Sequence, residues 1–259
     1  MPDRTIDLRI WRSLGGSGPR PHFDRFTVPV DAERDTILDL IERTWASLDR
    51  TLVFRHACHH ASCGTCAIRV DGRERLPCIT NVGDVWNGRS ALTFEPLRNF
   101  PVVADLAVDP SGLLARMSAL QMPYVRTVEP AVRACSGVTR DGDVGAAERF
   151  EDCIECGACV SACPVAGGDP DYLGPAFLAA AGRSIETGDG MRAARALDMA
   201  DTDHGVWECR SIWACSAVCP SGVDPAARIM TLRRAVLTQS KPMASAERSP
   251  KHAEAGAPP

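Results

Sequence analysis

The sequence lacks a long hydrophobic run, a leader-like start and an excess of either charge. No stretch of about 18 apolar residues occurs, so we expect that the chain does not itself cross a membrane. Residues 1–9 alternate polar and apolar side chains instead of forming an apolar segment before a cleavage site, which predicts an unexported protein. The formal net charge is −4, with both signs interspersed, which argues against a nucleic-acid partner. Any attachment to a membrane must then come from partner subunits.

Cysteine, by contrast, is abundant, with twelve residues in the chain. Eleven of them fall into three groups, at 58–78, 153–163 and 209–219, and Cys135 stands alone. A lone cysteine is typical of a small buried hydrophobic side chain. In a reducing compartment, thiols at short spacings indicate metal ligands and not disulfide partners.

The first hundred residues predict mixed α and β structure. Period-2 alternation at 6–10 and again at 26–30 predicts two strands that form a hairpin across the glycine-rich break at 15–19. Ile37, Ile41, Trp45 and Leu48 recur at helical spacing in 36–48, which predicts an amphipathic helix with Asp35 as its N-cap. Such a helix can cover a small sheet.

Further hairpin signals follow. Ile68 and Val70 lead into Asp71-Gly72, a tight-turn signal, and 92–95 predicts another short strand. Together with the first cysteine group, these strands favour a β-grasp, ferredoxin-like domain over residues 1–103.

After Pro101 the strand pattern is expected to end and helical spacing to begin. The predicted helices lie near 113–120, 174–183, 190–199 and 224–237. The fold class is therefore α+β, with an all-α domain of the two-cluster ferredoxin type over 104–238. Residues 239–259 have scarcely any apolar anchor, which predicts a disordered tail.

The first cysteine group has the spacing of a plant-type [2Fe–2S] site. Four residues separate Cys58 from Cys63, two separate Cys63 from Cys66, and Cys78 follows. Gly64 suits the close wrap of such a loop. A four-sulfur zinc site is the alternative, but zinc motifs typically pair two short-spaced cysteine couples, which this group lacks.

Three histidines lie in the same loop: His56, His59 and His60. They raise the alternative of a Rieske-type site, in which two histidines replace two cysteines. Four cysteines already complete the ligand set, so we expect the histidines to be solvated loop residues, one of which could tune a cluster by hydrogen bonding.

The second and third groups are two interlocking ferredoxin runs. The second run contains Cys153, Cys156, Cys159 and Cys163 followed by Pro164, and the third contains Cys209, Cys215 and Cys219 followed by Pro220. In two-cluster ferredoxins the fourth cysteine of a run ligates the other cluster. One site then has Cys153, Cys156, Cys159 and Cys219, and the other has Cys163, Cys209 and Cys215.

The third site lacks one ligand, because Ile212 occupies the position that corresponds to Cys156. Four thiolates imply [4Fe–4S] and three imply [3Fe–4S]. Fewer anionic ligands should make the third cluster easier to reduce. The alternative is that Ile212 only packs and that water or another residue supplies a fourth ligand.

Three cluster motifs in this order resemble the iron–sulfur subunits of succinate dehydrogenases and fumarate reductases. The resemblance covers roughly residues 5–237 and includes the segments 99–101, 105–109 and 205–209. It implies a flavoprotein partner with FAD, a membrane-anchor subunit and a quinone. Electrons would pass between FAD and quinone through the three clusters, and this chain would not itself bind succinate. The complex would sit on the cytoplasmic face of the cell membrane.

The resemblance also indicates which residues lie at the quinone end: Pro164, Arg210, Ile212, Trp213 and Arg233. Ubiquinone-using relatives commonly have a tryptophan shortly after the Cys-Pro of the second group and a histidine after the first cysteine of the third. This chain has Val165–Gly168 and Arg210 there, which favours menaquinone. For Arg233, a solvated helix arginine is the alternative.

Two other function classes stay open at the level of sequence. The first is the iron–sulfur subunit of a soluble oxidoreductase, such as a thiol-driven fumarate reductase or a glycolate or glycerol-phosphate dehydrogenase; such relatives more often carry two full four-cysteine runs. The second is a zinc-binding interaction module, for which interlocked Cys-Pro runs have no purpose.

Overall fold

The computed structural model describes residues 4–14, 20–87, 91–120, 153–186 and 190–239. The predicted turn at 15–19, Cys135 and the predicted tail beyond Gln239 lie outside the described residues. Among those described, no helix is both long and apolar enough to span a membrane.

The first half is a five-stranded sheet with the order β2-β1-β5-β3-β4. Its strands are β1 (Thr5–Arg12), β2 (His22–Pro29), β3 (Ile68–Val70), β4 (Arg73–Arg75) and β5 (Ala91–Glu95). β1 pairs antiparallel with β2 and parallel with β5, and β3 and β4 form the hairpin around Asp71-Gly72. The predicted β-grasp, ferredoxin-like sheet is confirmed.

Helix α1 (Ile37–Ser47) covers one face of this sheet. Its N-cap is Thr36 and not Asp35, because the Thr36 hydroxyl accepts from the Asp39 amide while the Asp39 carboxylate accepts from the Thr36 amide. Asp35 instead forms an ion pair of 2.9 Å with Arg43.

The buried stripe of α1 is also shorter than predicted. Leu38, Leu40 and Thr44 join Ile37 and Ile41 in the core. Trp45 and Leu48 are 37% and 53% exposed. The buried stripe of α1 therefore ends at Thr44.

The expectation that strands end at Pro101 is wrong. β6 (Val102–Ala104) and β7 (Ala107–Val108) form a small antiparallel pair. The buried Asp105 carboxylate between them accepts from the Ser13 amide at 2.9 Å, the Val53 amide at 2.8 Å and the Arg12 guanidinium at 3.1 Å. These bonds fix the segment to the first half, although the domain boundary near 103 stays a prediction.

Short and long helices follow. The short ones are α2 (Val82–Val85), a 3₁₀ turn (Pro77–Ile79), α4 (Ala158–Ser161), α5 (Pro164–Gly168) and α8 (Ala214–Ala217). The longer ones are α3 (Ser111–Ala119), α6 (Gly174–Glu186), α7 (Gly190–Ala200) and α9 (Pro225–Gln239). α6 is central to the second core, where its run of buried alanines lets neighbouring helices approach closely. The second and third cysteine groups lie at or beside the short helices α4, α5 and α8, next to this core.

Polar contacts join the two halves. Ser161 donates to the Glu74 carboxylate at 2.7 Å and accepts from the Arg98 amide at 2.9 Å. The Asn99 side-chain amide donates to the carbonyls of Val160 at 2.8 Å and Cys163 at 2.9 Å. The loop that carries the second cysteine group is therefore held against the β-grasp half.

Candidate metal centres

In the first cysteine group, Cys58 and Cys63 are at least partly exposed, whereas Cys66 and Cys78 are buried. The sulfurs of Cys66 and Cys78 are 3.5 Å apart, which is too far for a disulfide and close enough for both to bind one metal ion. Cys58 Sγ accepts hydrogen bonds of 3.3 Å from the amides of Ser62 and Cys63. Backbone hydrogen bonds, led by that of His60, lower the pKa of Cys58 to about 6, which favours the thiolate that a metal requires.

The histidines of this loop do not join the four sulfurs. The rings of His56 and His59 lie beside Glu42 of α1. The His60 ring contacts the Cys58 carbonyl. All three are exposed, as the sequence predicted.

The second and third groups line two separate cavities. The first cavity has a volume of about 30 Å³, and its lining includes Cys153, Cys156, Cys159 and Cys219. The second has a volume of about 20 Å³, and its lining includes Cys163, Cys209 and Cys215. The structure thus brings together the two sulfur sets that the crossing rule predicts.

The electrostatics of the four-sulfur cavity suit a metal core. Burial raises the pKa of Cys153 to about 12 and that of Cys156 to about 11, and mutual repulsion between neighbouring thiolates adds to both. Burial also raises the pKa of Cys159 well above its ordinary value. These three thiols ionise together only when a positive metal core offsets their burial and repulsion. The residues therefore fit an iron–sulfur cluster.

The three-sulfur cavity also contains cysteines whose pKa is raised by burial, and it offers one sulfur ligand fewer. Burial raises the pKa of Cys215 to about 11 and also raises that of Cys163. Ile212 lines this cavity in the place of a fourth sulfur and is 56% exposed.

The residues predicted for the quinone end lie in two places. Pro164, Arg210, Ile212 and Trp213 line the three-sulfur cavity. Arg233 does not line it, since its guanidinium donates bonds of 2.7 Å to the carbonyls of Val206 and Cys209. Its contacts fix the backbone that leads into the third group, so it is not a solvated helix arginine.

Tyr172 is a site residue that sequence reasoning missed. It is 2% exposed, lines the three-sulfur cavity and hydrogen-bonds to Cys209. Burial raises its pKa well above the ordinary value, and the neighbouring cysteine thiolates raise it further, so the phenol stays protonated and acts as the donor. Arg116 holds this loop by donating to the carbonyls of Tyr172 at 2.9 Å and Pro170 at 3.1 Å.

The loops of the first and second groups touch at Gly64. Its φ of +67° lies in the left-handed region. A Cβ at this position would lie 2.7 Å from Cys156 Cβ and 2.8 Å from the Ile154 carbonyl oxygen. From the sequence, we expect Gly64 to let its loop wrap closely around a cluster. In the structure, the residue nearest to a Cβ at this position is Cys156 of the second group.

Comparisons with known proteins agree with this arrangement. Residues 7–115 match the model of a 2Fe-2S iron-sulfur cluster binding domain, and residues 149–223 match that of a 4Fe-4S dicluster domain. The chain is 35% identical to a fumarate reductase iron-sulfur subunit of Mycobacterium tuberculosis over 93% of this chain and 96% of the relative. It is 29% identical to a succinate dehydrogenase iron-sulfur subunit of Paracoccus denitrificans over 90% of this chain and 89% of the relative.

A solved structure is similar over nearly the whole chain. It belongs to the Mycobacterium smegmatis Sdh1 complex in the apo form, with a TM-score of 0.69 and 25% sequence identity. The match covers 92% of this chain and 98% of the other.

Proposed function

This chain belongs to the family of iron–sulfur subunits of fumarate reductases and succinate dehydrogenases and transfers electrons in such a complex, and from that premise we propose that it holds three clusters in series. The proposed ligands of a [2Fe–2S] cluster are Cys58, Cys63, Cys66 and Cys78. Those of a [4Fe–4S] cluster are Cys153, Cys156, Cys159 and Cys219, and those of a [3Fe–4S] cluster are Cys163, Cys209 and Cys215. The observation that carries this proposal is the pair of separate cavities lined by four and by three cysteines.

The bound clusters would supply one-electron redox chemistry, and the protein sets how easily each accepts an electron. At the third site the chain offers three thiolates and the apolar Ile212, so the anionic charge around the core is lower than at the second. A lower anionic charge favours the reduced state. We therefore propose the third group as the end nearer the quinone.

We propose that electrons pass between the FAD of a flavoprotein subunit and a membrane quinone, with the first cysteine group facing the flavin. The exposed side chains of Ile212 and Trp213 beside the third group support contact with another subunit at that end. A membrane-anchor subunit would hold the chain peripherally on the cytoplasmic face. Menaquinone is the proposed acceptor, because Val165–Gly168 and Arg210 stand where ubiquinone-using relatives have tryptophan and histidine.

Metal analysis tests the cluster content. We expect about nine iron atoms per chain, from two, four and three at the three sites. The assembled complex should be analysed for iron, with any haem iron measured separately and subtracted. A colourless protein whose cysteines hold mainly zinc would contradict the proposal.

Tyr172→Phe tests how the chain tunes the third site. The variant keeps the ring that fills the cavity and removes only the donor to Cys209. If that bond is about 1 kcal/mol stronger in the reduced state, the midpoint potential of the third cluster falls by about 40 mV, since a tenfold change in a one-electron equilibrium is about 59 mV.

A redox titration followed by electron paramagnetic resonance measures this shift. The first and second clusters serve as internal controls, because their ligand loops keep their donors. An unchanged potential at the third cluster would show that the tyrosine only packs there.

A further inference from the structure

Glu42, His56 and His59 form a compact group beside the first cysteine loop. We propose that these three side chains bind a divalent transition metal of the zinc class, separate from the iron–sulfur ligands. Glu42 lies on α1, whereas the two histidines lie on either side of Cys58 in the chain.

The spacing of the three ligand atoms fits one metal ion. His56 Nδ1 and His59 Nε2 are 3.0 Å apart, and they lie 3.4 Å and 3.7 Å from Glu42 Oε1. A tetrahedral zinc ion with bonds of about 2.0–2.1 Å holds its ligands about 3.3 Å apart. Two imidazoles and a carboxylate are ligands that zinc commonly takes.

Hydrogen bonding alone explains this group poorly. Glu42 Oε1 is shielded from solvent and has no hydrogen-bond partner among the described residues. At the contact between His56 Nδ1 and His59 Nε2, one nitrogen must carry a proton if they bond to each other. Glu42 Oε1 then forms no hydrogen bond with any residue that the structure describes, and it forms an ion pair with these rings only if they are protonated. A cation between the three atoms satisfies all of them at once.

The protein also orients these ligands. The His56 ring stacks on Phe54, with centroids 5.3 Å apart and an interplanar angle of 21°. Glu42 is fixed by the regular backbone of α1. The group borders an open cavity of about 720 Å³, which leaves the fourth coordination position for water. These features match a site with three protein ligands and one open position.

A metal ion here would tie the first cysteine loop to α1. His56 and His59 flank Cys58, so both sides of this thiolate would become anchored. An added positive charge also favours the reduced state of a nearby redox centre. This consequence rests on the proposed [2Fe–2S] site, whereas metal binding itself does not.

Zinc retention by the assembled complex tests the proposal. The complex is freed of loosely bound metal with a mild chelator and dialysed against buffered Zn²⁺. We expect one zinc per chain in addition to unchanged iron. Glu42→Gln, His56→Asn and His59→Asn should each weaken zinc binding by about tenfold or more, because each removes a ligand.

Two histidine variants are matched controls. His60→Asn changes the same loop outside the group and should retain zinc. His204→Asn changes a second compact group, with Asp169 and Asp171, in which the Asp169 carboxylate already accepts from His204 at 2.8 Å. It should retain zinc as well.

The outcomes separate this site from the iron sites. Loss of zinc in Glu42→Gln at full iron content supports the proposal, and Zn²⁺ should then raise the potential of the first cluster in the parent protein but not in this variant. If a histidine variant loses iron as well as zinc, the Glu42→Gln variant gives the decisive result, because Glu42 lies outside the cysteine loop. Absence of zinc from the parent complex, or equal retention in all three variants, would overturn the proposal and leave the electron-transfer role intact.

Discussion

Ile212→Cys is expected to convert the third centre from a three-iron to a four-iron cluster. Ile212 lines the cavity that contains Cys163, Cys209 and Cys215, so a sulfur at this position would complete a set of four thiolates. Iron should rise from about nine to about ten atoms per chain. The added anionic ligand should lower the midpoint potential of the third cluster by on the order of 100 mV.

Electron paramagnetic resonance at low temperature gives the direct readout. The oxidised parent protein should show the signal of a three-iron cluster, and Ile212→Cys should lose it. Ile212→Ala is the matched control, because it removes the same apolar side chain without adding a thiol, and it should keep the signal. A parent protein without this signal, or a cysteine variant that keeps it, would show that the ligand count is wrong.

Local patterns predicted much of the fold. Alternation identified β1 and β2, and Asp71-Gly72 identified the hairpin of β3 and β4, because both signals depend only on neighbouring residues. Asp35 and Thr36 are adjacent capping residues, and only the position of Asp39 decides between them. The β6–β7 pair has strands of three and two residues, too short for periodicity. Its anchor, the Asp105 carboxylate, bonds to residues far away in the chain.

The site residues also divide into those that local sequence patterns predicted and those that they did not. Cysteine spacing was sufficient to predict the two sulfur sets, because ligand loops are local and the crossing of two runs follows a fixed rule. Tyr172 belongs to no motif, and its place beside Cys209 results from the packing of the loop before α6. Glu42 meets His56 and His59 only because α1 crosses the sheet beside the cysteine loop. Such long-range contacts leave no signal in a single sequence.

Gly64→Ala is expected to disturb the contact between the first and second centres. The substitution has two costs. A left-handed backbone at a residue with a Cβ costs about 1–2 kcal/mol. The new Cβ would also lie 2.7 Å from Cys156 Cβ, so the two cysteine loops must separate. Crowding of this kind costs about 1–3 kcal/mol more.

Gly222→Ala isolates the first of these costs, because Gly222 has a φ of +66° and a Cβ there would meet no atom within 4 Å. Both variants should lose stability, but only Gly64→Ala should slow electron transfer between the first two clusters, since only it moves their loops apart. Rapid-freeze paramagnetic resonance after addition of succinate would show the first cluster reduced while the second and third lag behind. If electron transfer between the first two clusters is equally fast in Gly64→Ala and Gly222→Ala, then the loop contact at Cys156 does not set its rate. Gly64 is in that case required only for its left-handed backbone conformation.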